Sequence, residues 1–374
     1  GVGMRVVIVG ALPESLLNFR GELLSELVSE GHEVIALANK ATPALVASLK
    51  DFGVCFNSFP VQRNGMNPLQ DLKTFLALRR KFHDLNPDVV MAYTIKPIIW
   101  GGFALRNMSH VRFYALITGL GFAFHIKRGV GGLLTKMLLT LYKAALVRAS
   151  GVIFQNRDNQ NEFVQHKIIP ESRCSIVNGS GVNLTHFKQK STFPEGCVFL
   201  TLGRLLGDKG FREYATAAAL VKKRYPDVVF KLVGPNDPSP DSIPVNEVQS
   251  WHEKGWIEYC GATNDVRPFL EECSVFVLAS YHEGMPRTVL EALSVGRPIL
   301  TTDVPGCRET VDPGENGFLV PKADAEALAE RMIWFIENSD KWKTMGIKSR
   351  EIAEECFDVR KVNDKLISIL GLKG

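Results

Sequence analysis

VFVLASYHEGMPRTVLEALSVGRPILTT, residues 275–302, decides the fold. VFVLAS (275–280) is an apolar run of strand length, and a loop bearing glycine and proline follows it. A helix is expected from near Arg287 through TVLEALSVG, and PILTT (298–302) is apolar again. Strand, helix and strand in succession form a crossover unit, which makes the two strands parallel neighbours of one sheet.

The same alternation extends in both directions. CVFLTLGR (197–204), VVFKLVG (228–234) and IEYCG (257–261) precede it as further strands. Upstream, RVVIVG (5–10), EVIALAN (33–39), VVMAYT (89–94), VRFYALIT (111–118) and GVIFQN (151–156) form a first series. Residues 15–31 read as one helix ending at Gly31, and residues 131–149 as another. A polar, linker-like stretch, KQKSTFPEG (188–196), separates the two series. The expected fold class is therefore α/β, with two Rossmann-like, doubly wound domains. A chain of 374 residues is long enough for two cores.

Composition narrows the function. Hydrophobic residues make up 45% and charged residues 22%, as in ordinary globular proteins. The seven cysteines stand singly without a C-x-x-C, which suggests reduced thiols in a cytoplasmic protein and no zinc site. VVIVGAL (6–12) is too short for a signal peptide, and no apolar run reaches membrane-spanning length. Residues 1–190 hold 22 basic against 12 acidic residues, and the remainder 22 against 28. Between Asp88 and Asp158 there is no acidic residue, while Lys96, Arg106, Lys136, Lys143 and Arg148 lie among the basic ones. Such a face either attracts phosphates or anionic lipid, or merely keeps the protein soluble. The basic face lacks interleaved aromatics and any recognised motif for nucleic acid, so none is expected as a partner.

Parallel sheets bind ligands at the carboxyl ends of their strands, and the unusual residues fall there. GRLLGDKG (203–210) sets Arg204 and Lys209 on a glycine-rich loop after a strand. A guanidinium fork and an ammonium suit a diphosphate, although a helix start with solvated charges is an equal alternative. No Walker loop, no G-x-G-x-x-G after a strand and no Asp-x-Asp occurs. Glu283 and Glu291 flank the start of the helix, where the N–H groups of Thr288 and Val289 are expected to be free for an anion. A phosphate between carboxylates that accept from hydroxyls describes a nucleotide sugar. For Glu291, simple complementarity to the helix dipole is an alternative reading.

GRLLGDKG, LVG (232–234), CGATNDV (260–266), the stretch from Val277 to Val311 and GFLV (317–320) resemble, in order, the donor half of retaining family-4 glycosyltransferases of GT-B architecture. AYTIKP (92–97), ITGLGFAF (117–124) and VNGSGVNLTHF (177–187) are similar to bacterial members that extend lipid-linked glycans. The resemblance implies two domains facing across a cleft: residues 1–190 for the acceptor, 191–355 for the donor, and 356–374 returning to the first. It also implies roles. Arg204 and Lys209 would hold the donor diphosphate, with Glu283 on the transferred sugar and Glu291 on the ribose hydroxyls. Gly203, Gly284, Met285 and Pro286 would line the donor, Thr288 and Val289 its phosphate, and residues 261–266 the base. The family's N-terminal histidine is replaced by Thr118 and Gly119, with His125 the nearest histidine, and Lys96 becomes a weak candidate on the acceptor side.

The function implied is a retaining glycosyltransferase with no metal or other cofactor. It would move a hexose or N-acetylhexosamine from a nucleotide sugar, by analogy a UDP sugar, to a lipid-linked or oligosaccharide acceptor. The same resemblance implies peripheral contact with an anionic membrane at the cytoplasmic face. A nucleotide-sugar epimerase and a catalytically silent nucleotide-sugar-binding scaffold are the alternatives.

Overall fold

The apolar runs become the strands of two sheets. The computed structural model describes residues 3–63, 65, 67–120 and 129–374, with the side chains of 129–131 left aside. The chain divides into two units, Gly1–Ser180 with Lys361–Gly374, and Gly181–Arg360. His125 lies outside the described residues.

The N-terminal unit runs β1 (Arg5–Val9), α1 (Pro13–Asn18), α2 (Gly21–Ser29), β2 (Glu33–Ala38), α3 (Pro43–Asp51), β3 (Val54–Ser58) and α4 (Pro68–Leu85). It continues with β4 (Val89–Tyr93), α5 (Ile95–Ala104), β5 (Arg112–Ile117), α6 (Gly129–Ala145), β6 (Gly151–Phe154), α7 (Arg157–Gln165) and β7 (Cys174–Ile176). Its seven strands are ordered β3-β2-β1-β4-β5-β6-β7, all parallel. Winding outward in both directions from β1 puts helices on both faces, so the central strands are apolar throughout rather than alternating.

The second unit runs β8 (Val198–Leu202), α8 (Phe211–Lys222), β9 (Val229–Val233), α9 (Val245–Glu253), β10 (Glu258–Tyr259), α10 (Arg267–Glu271) and β11 (Val275–Leu278). Then come α11 (Arg287–Val295), β12 (Ile299–Thr302), β13 (Gly317–Val320), α12 (Ala325–Glu337) and α13 (Trp342–Cys356), after which α14 (Val359–Ile369) passes at Lys361 into the N-terminal unit. Its sheet is ordered β10-β9-β8-β11-β12-β13 and is also parallel. The strand order reverses between β8 and β11, so the loops after these two strands open beside each other.

Three expectations change. The helix read over 15–31 is two helices, broken at Phe19 and Arg20. Arg20 is buried with its guanidinium over the Tyr93 ring (5.3 Å to the centroid), a contact that local periodicity does not encode. The change of unit comes at residue 180 rather than near 190, and again at 360 rather than 355. The stretch 188–196 is packed within the second unit and does not link the two. Arg297, with no exposed surface, donates to the carbonyls of Lys190, Thr192 and Cys273 and lies over Phe193. Arg350 likewise donates to the carbonyls of Leu184, Phe187 and Ser294.

After Lys361, α14 buries Val362, Leu366 and Ile367 in the core of the N-terminal unit with Val6, Ile8 and Leu24. Leu366→Ala should lower the stability of that unit by about 2–5 kcal/mol, the cost of a large-to-small change at a closed core position. Urea unfolding followed by far-UV circular dichroism checks this, and a change below 1 kcal/mol would mean the helix is not integral to the core.

Candidate functional site

The loops after β8 and β11 are shaped by missing side chains. A Cβ on Gly234 would lie 1.7 Å from the Gly203 carbonyl oxygen, so the β9 loop crosses the β8 loop only as glycine. Gly210 caps the start of α8 with φ +74°, and a Cβ there would lie 1.9 Å from the Ala279 carbonyl oxygen. The 3-10 turn Gly207–Lys209 is thereby pressed against the end of β11. Asp241 holds that turn from the other side, accepting the Asp208 N–H at 3.0 Å. Arg204 donates to Asp237 at 2.8 Å. Burial opposes ionisation of Asp237, yet the Arg204 hydrogen bond and a Ser239 N–H bring its pKa below the usual value.

Across this turn lies the β11 loop. Lys209 Nζ donates to Glu283 Oε1 at 2.6 Å, and Ser280 Oγ donates to the same oxygen at 2.9 Å. His282 Nε2 lies 3.1 Å from Asp208 Oδ2, and the Tyr281 N–H donates to the Asp208 carbonyl at 2.8 Å. Burial works against the Asp208 carboxylate, but the His282 contact and the cations Lys209 and Arg204 outweigh it and lower its pKa. The Tyr281 hydroxyl donates a hydrogen bond to Glu213 at 2.6 Å; burial, then this bond, raises its pKa. Two adjacent side chains thus tie the β11 loop to the β8 turn and its following helix, leaving Glu283 between them.

Helix α11 begins at Arg287, where the sequence places it, with Pro286 at its cap. Gly284 and Pro286 are buried and Met285 half-buried. The N–H of Val289 is not free as expected: the first turn closes tightly, and Val289 donates to the Pro286 carbonyl at 3.1 Å. Glu291 is buried, with 9% exposure. Burial pushes its pKa up to about 7, although Arg287 lies 3.6 Å away and works in the opposite direction. Glu283 and Glu291 therefore have different partners, Lys209 and Ser280 for the first and Arg287 for the second. In the 261–266 loop, Thr263 caps its own turn and Asp265 grips Arg267 through both carboxylate oxygens.

On the N-terminal unit, Thr118 and Gly119 follow β5 directly, Gly119 with φ +151°. Lys96 sits in the first turn of α5, ion-paired with Asp71 of α4. The residue that sequence reasoning missed is Thr94, between β4 and α5. Its backbone (φ +67°, ψ 164°) is one that only glycine adopts readily, and its buried Oγ1 meets no hydrogen-bond partner among the described residues. Nothing in AYTIKP signals that strain. Asp237 and Asp241 were also missed, although GPNDPSPDS (234–242) follows a strand and offers both carboxylates.

Known proteins are similar to this chain in sequence and in fold. The family description "Glycosyl transferases group 1" matches residues 196–338, and "Glycosyltransferase Family 4" matches residues 21–185. The N,N'-diacetylbacillosaminyl-diphospho-undecaprenol alpha-1,3-N-acetylgalactosaminyltransferase of Campylobacter jejuni is 27% identical, with 90% of each chain covered. The UDP-Gal:alpha-D-GlcNAc-diphosphoundecaprenol alpha-1,3-galactosyltransferase of Escherichia coli is 25% identical, with 82% of this chain and 81% of that protein covered. HepE of Anabaena, solved in complex with UDP-glucose, superposes with a TM-score of 0.79 at 19% identity, covering 98% of this chain and 99% of that one. Sucrose-phosphate synthase of Thermosynechococcus elongatus gives a TM-score of 0.81 at 18% identity, covering 98% of both chains. With glycosyltransferase descriptions matching both halves and GT-B neighbours along its whole length, the chain belongs to the family-4 glycosyltransferases and has the GT-B fold.

Proposed function

We propose that this glycosyltransferase moves a hexose or N-acetylhexosamine, with retention and without a metal ion, from a UDP sugar to a lipid-linked or oligosaccharide acceptor in surface-glycan assembly. The observation that carries the reading is the pair of cations at the β8–β11 switch point, Arg204 and Lys209, each aimed by a carboxylate. The named relatives support it, since two of them act on diphospho-undecaprenol substrates and one carries UDP-Gal in its name.

In this mechanism the bond between the anomeric carbon and the donor phosphate oxygen breaks, and its electron pair leaves with the diphosphate. Arg204 and Lys209 stabilise the charge that grows there; fixed donors that need no reorganisation are worth most at such a point. The acceptor hydroxyl attacks the same face of the sugar, and its proton passes to the departing phosphate. Glu283, already held by Lys209 and Ser280, accepts from hydroxyls of the transferred sugar. Gly203, Gly284, Met285 and Pro286 line the donor, and the Thr288 N–H faces its phosphate. Glu291 accepts from the ribose hydroxyls. Lys96, Thr118 and Gly119 belong to the acceptor side. The enzyme works at the cytoplasmic face of a membrane, against which the basic N-terminal unit rests. No helix among the described residues is long and apolar enough to cross a membrane.

Thermal-shift titration with UDP, GDP and ADP, in the presence of chelator, tests the donor site. UDP at roughly 100-fold above its Kd should raise the Tm by about 5–10 °C. Arg204→Ala should abolish most of that rise, and it should also lower the Tm of the free protein, because it leaves the buried Asp237 carboxylate without its partner. No shift with any nucleotide would sink the reading.

Glu291 gives a pH signature. Its raised pKa means that the folded state holds a proton the unfolded chain would release. The resulting stabilisation is complete below the ordinary value of 4.5 and is lost as pH rises through about 7. Relative to Glu291→Gln, the wild type should therefore lose about 3 kcal/mol of stability between these limits. UDP affinity should weaken in the wild type as pH falls below about 7 and stay flat in the variant, as followed by calorimetry.

A further inference from the structure

The N-terminal unit carries a cavity of about 370 Å³ that no step of glycosyl transfer uses. It lies over α5, between α4 and α6, which pack on either side of it. Phe75, Trp100, Phe103 and Leu141 form its apolar surface, with the Trp100 and Phe103 rings 5.7 Å apart. Arg79, His83 and Arg106 stand on its exposed rim, the Arg106 guanidinium 5.6 Å above the Phe103 ring. None of its lining residues is acidic.

Two apolar ridges lead into it. On α4, Leu69, Leu72 and Leu76 are 72%, 51% and 50% exposed. Their spacing continues through Arg79 to His83, so all five share one helix face. On α6, Leu133 and Met137 are 69% and 44% exposed and lie one turn apart on the face that carries Leu141. Both helices follow strands of a parallel sheet, so both ridges start at its carboxyl edge. Exposed apolar residues scattered singly need no explanation, but a run of five ending in an aromatic groove rimmed by arginines does.

We propose that this groove binds an anionic membrane phospholipid, with an acyl chain against Trp100 and Phe103 and the headgroup phosphate between Arg79 and Arg106. The chemistry selects that occupant. A soluble anion would leave the aromatic surface unused, and a wholly apolar ligand would leave the guanidinium groups without an anion. A second copy meeting this face by two-fold symmetry would set the arginine-rimmed groove, none of whose lining residues is acidic, against itself. A phospholipid satisfies both parts, as amphipathic surfaces do when they lie in a bilayer interface. The proposal rests on the reading that the enzyme works at a membrane face, and adds to it a specific lipid site separate from donor and acceptor.

The test uses the full chain with vesicles of phosphatidylcholine, with or without phosphatidylglycerol brominated in its acyl chains. The protein has five tryptophans, and all but Trp100 lie in the second unit, so Trp100 reports on the groove. Brominated phosphatidylglycerol should quench fluorescence in the wild type, and the quenching should vanish in Trp100→Phe. The double variant Arg79→Gln/Arg106→Gln, at two exposed positions, should bind these vesicles about thirtyfold more weakly. Equal quenching in Trp100→Phe would overturn the proposal by placing the lipid contact elsewhere. Binding only to phosphatidylcholine vesicles that carry polyprenyl diphosphate would overturn it in favour of the acceptor. Dimerisation lost in the arginine variant would overturn it in favour of a second copy. The UDP thermal shift is read on the same samples: its absence counts against the donor site, while its presence without lipid quenching counts against the groove alone.

Discussion

Everything at the carboxyl edge of the second sheet, where the β8 and β11 loops meet, depends on a side chain that Gly210 does not have. The turn carrying Lys209 reaches the end of β11 because the Ala279 carbonyl occupies the place where a Cβ would stand. The left-handed φ at Gly210 then starts α8 in the direction that buries Phe211 and Tyr214. Gly234 under Gly203, and Gly306 beneath the Glu283 and Gly284 carbonyls, repeat the device nearby. Crowding of backbone, permitted only by glycine, brings Lys209 within 2.6 Å of Glu283.

That contact is better understood as alignment than as stabilisation. Partly buried ion pairs recover little more than their desolvation cost. Their geometric effect is larger: Asp237 occupies one nitrogen of the Arg204 fork, which carries five N–H donors in all, and Glu283 occupies one of the three on Lys209. Both cations keep donors for a second anion while their positions are already set. The His282–Asp208 contact and the Tyr281–Glu213 bond serve the same end, since both fix the β11 loop immediately before Glu283.

Much of this was legible in the sequence. Buried parallel strands are continuous apolar runs, so most of both sheets and the start of α11 at Arg287 could be placed from local pattern. The edge strand β3, VCFNS, could not, because its half-exposed residues lack the apolar run. Arg204, Lys209 and Glu283 stood out by their position after strands. Their partners Asp237 and Asp241 did not, since pairing across loops depends on tertiary register. The packed course of residues 188–196 was hidden for the same reason: its polarity suggests a linker, and only the buried Arg297 makes it part of a core. The closed first turn of α11 and the strained Thr94 are backbone facts that residue identity does not announce.

The two units share a winding and differ in where they put their charge. In the second, cations and carboxylates converge on the carboxyl edge of the sheet, where β8 and β11 diverge. In the first, the corresponding edge between β1 and β4 carries a strained threonine and a lysine already paired with Asp71. Its unmatched positive charge lies instead out on the helices that cover the sheet, together with exposed leucines. An edge rich in fixed charge suits a ligand that must be held through a change of charge at its phosphate. A helical face that is basic and greasy around an aromatic groove suits an amphipathic anionic ligand. One topology can thus carry two kinds of surface, because loop chemistry and helix chemistry vary independently on it.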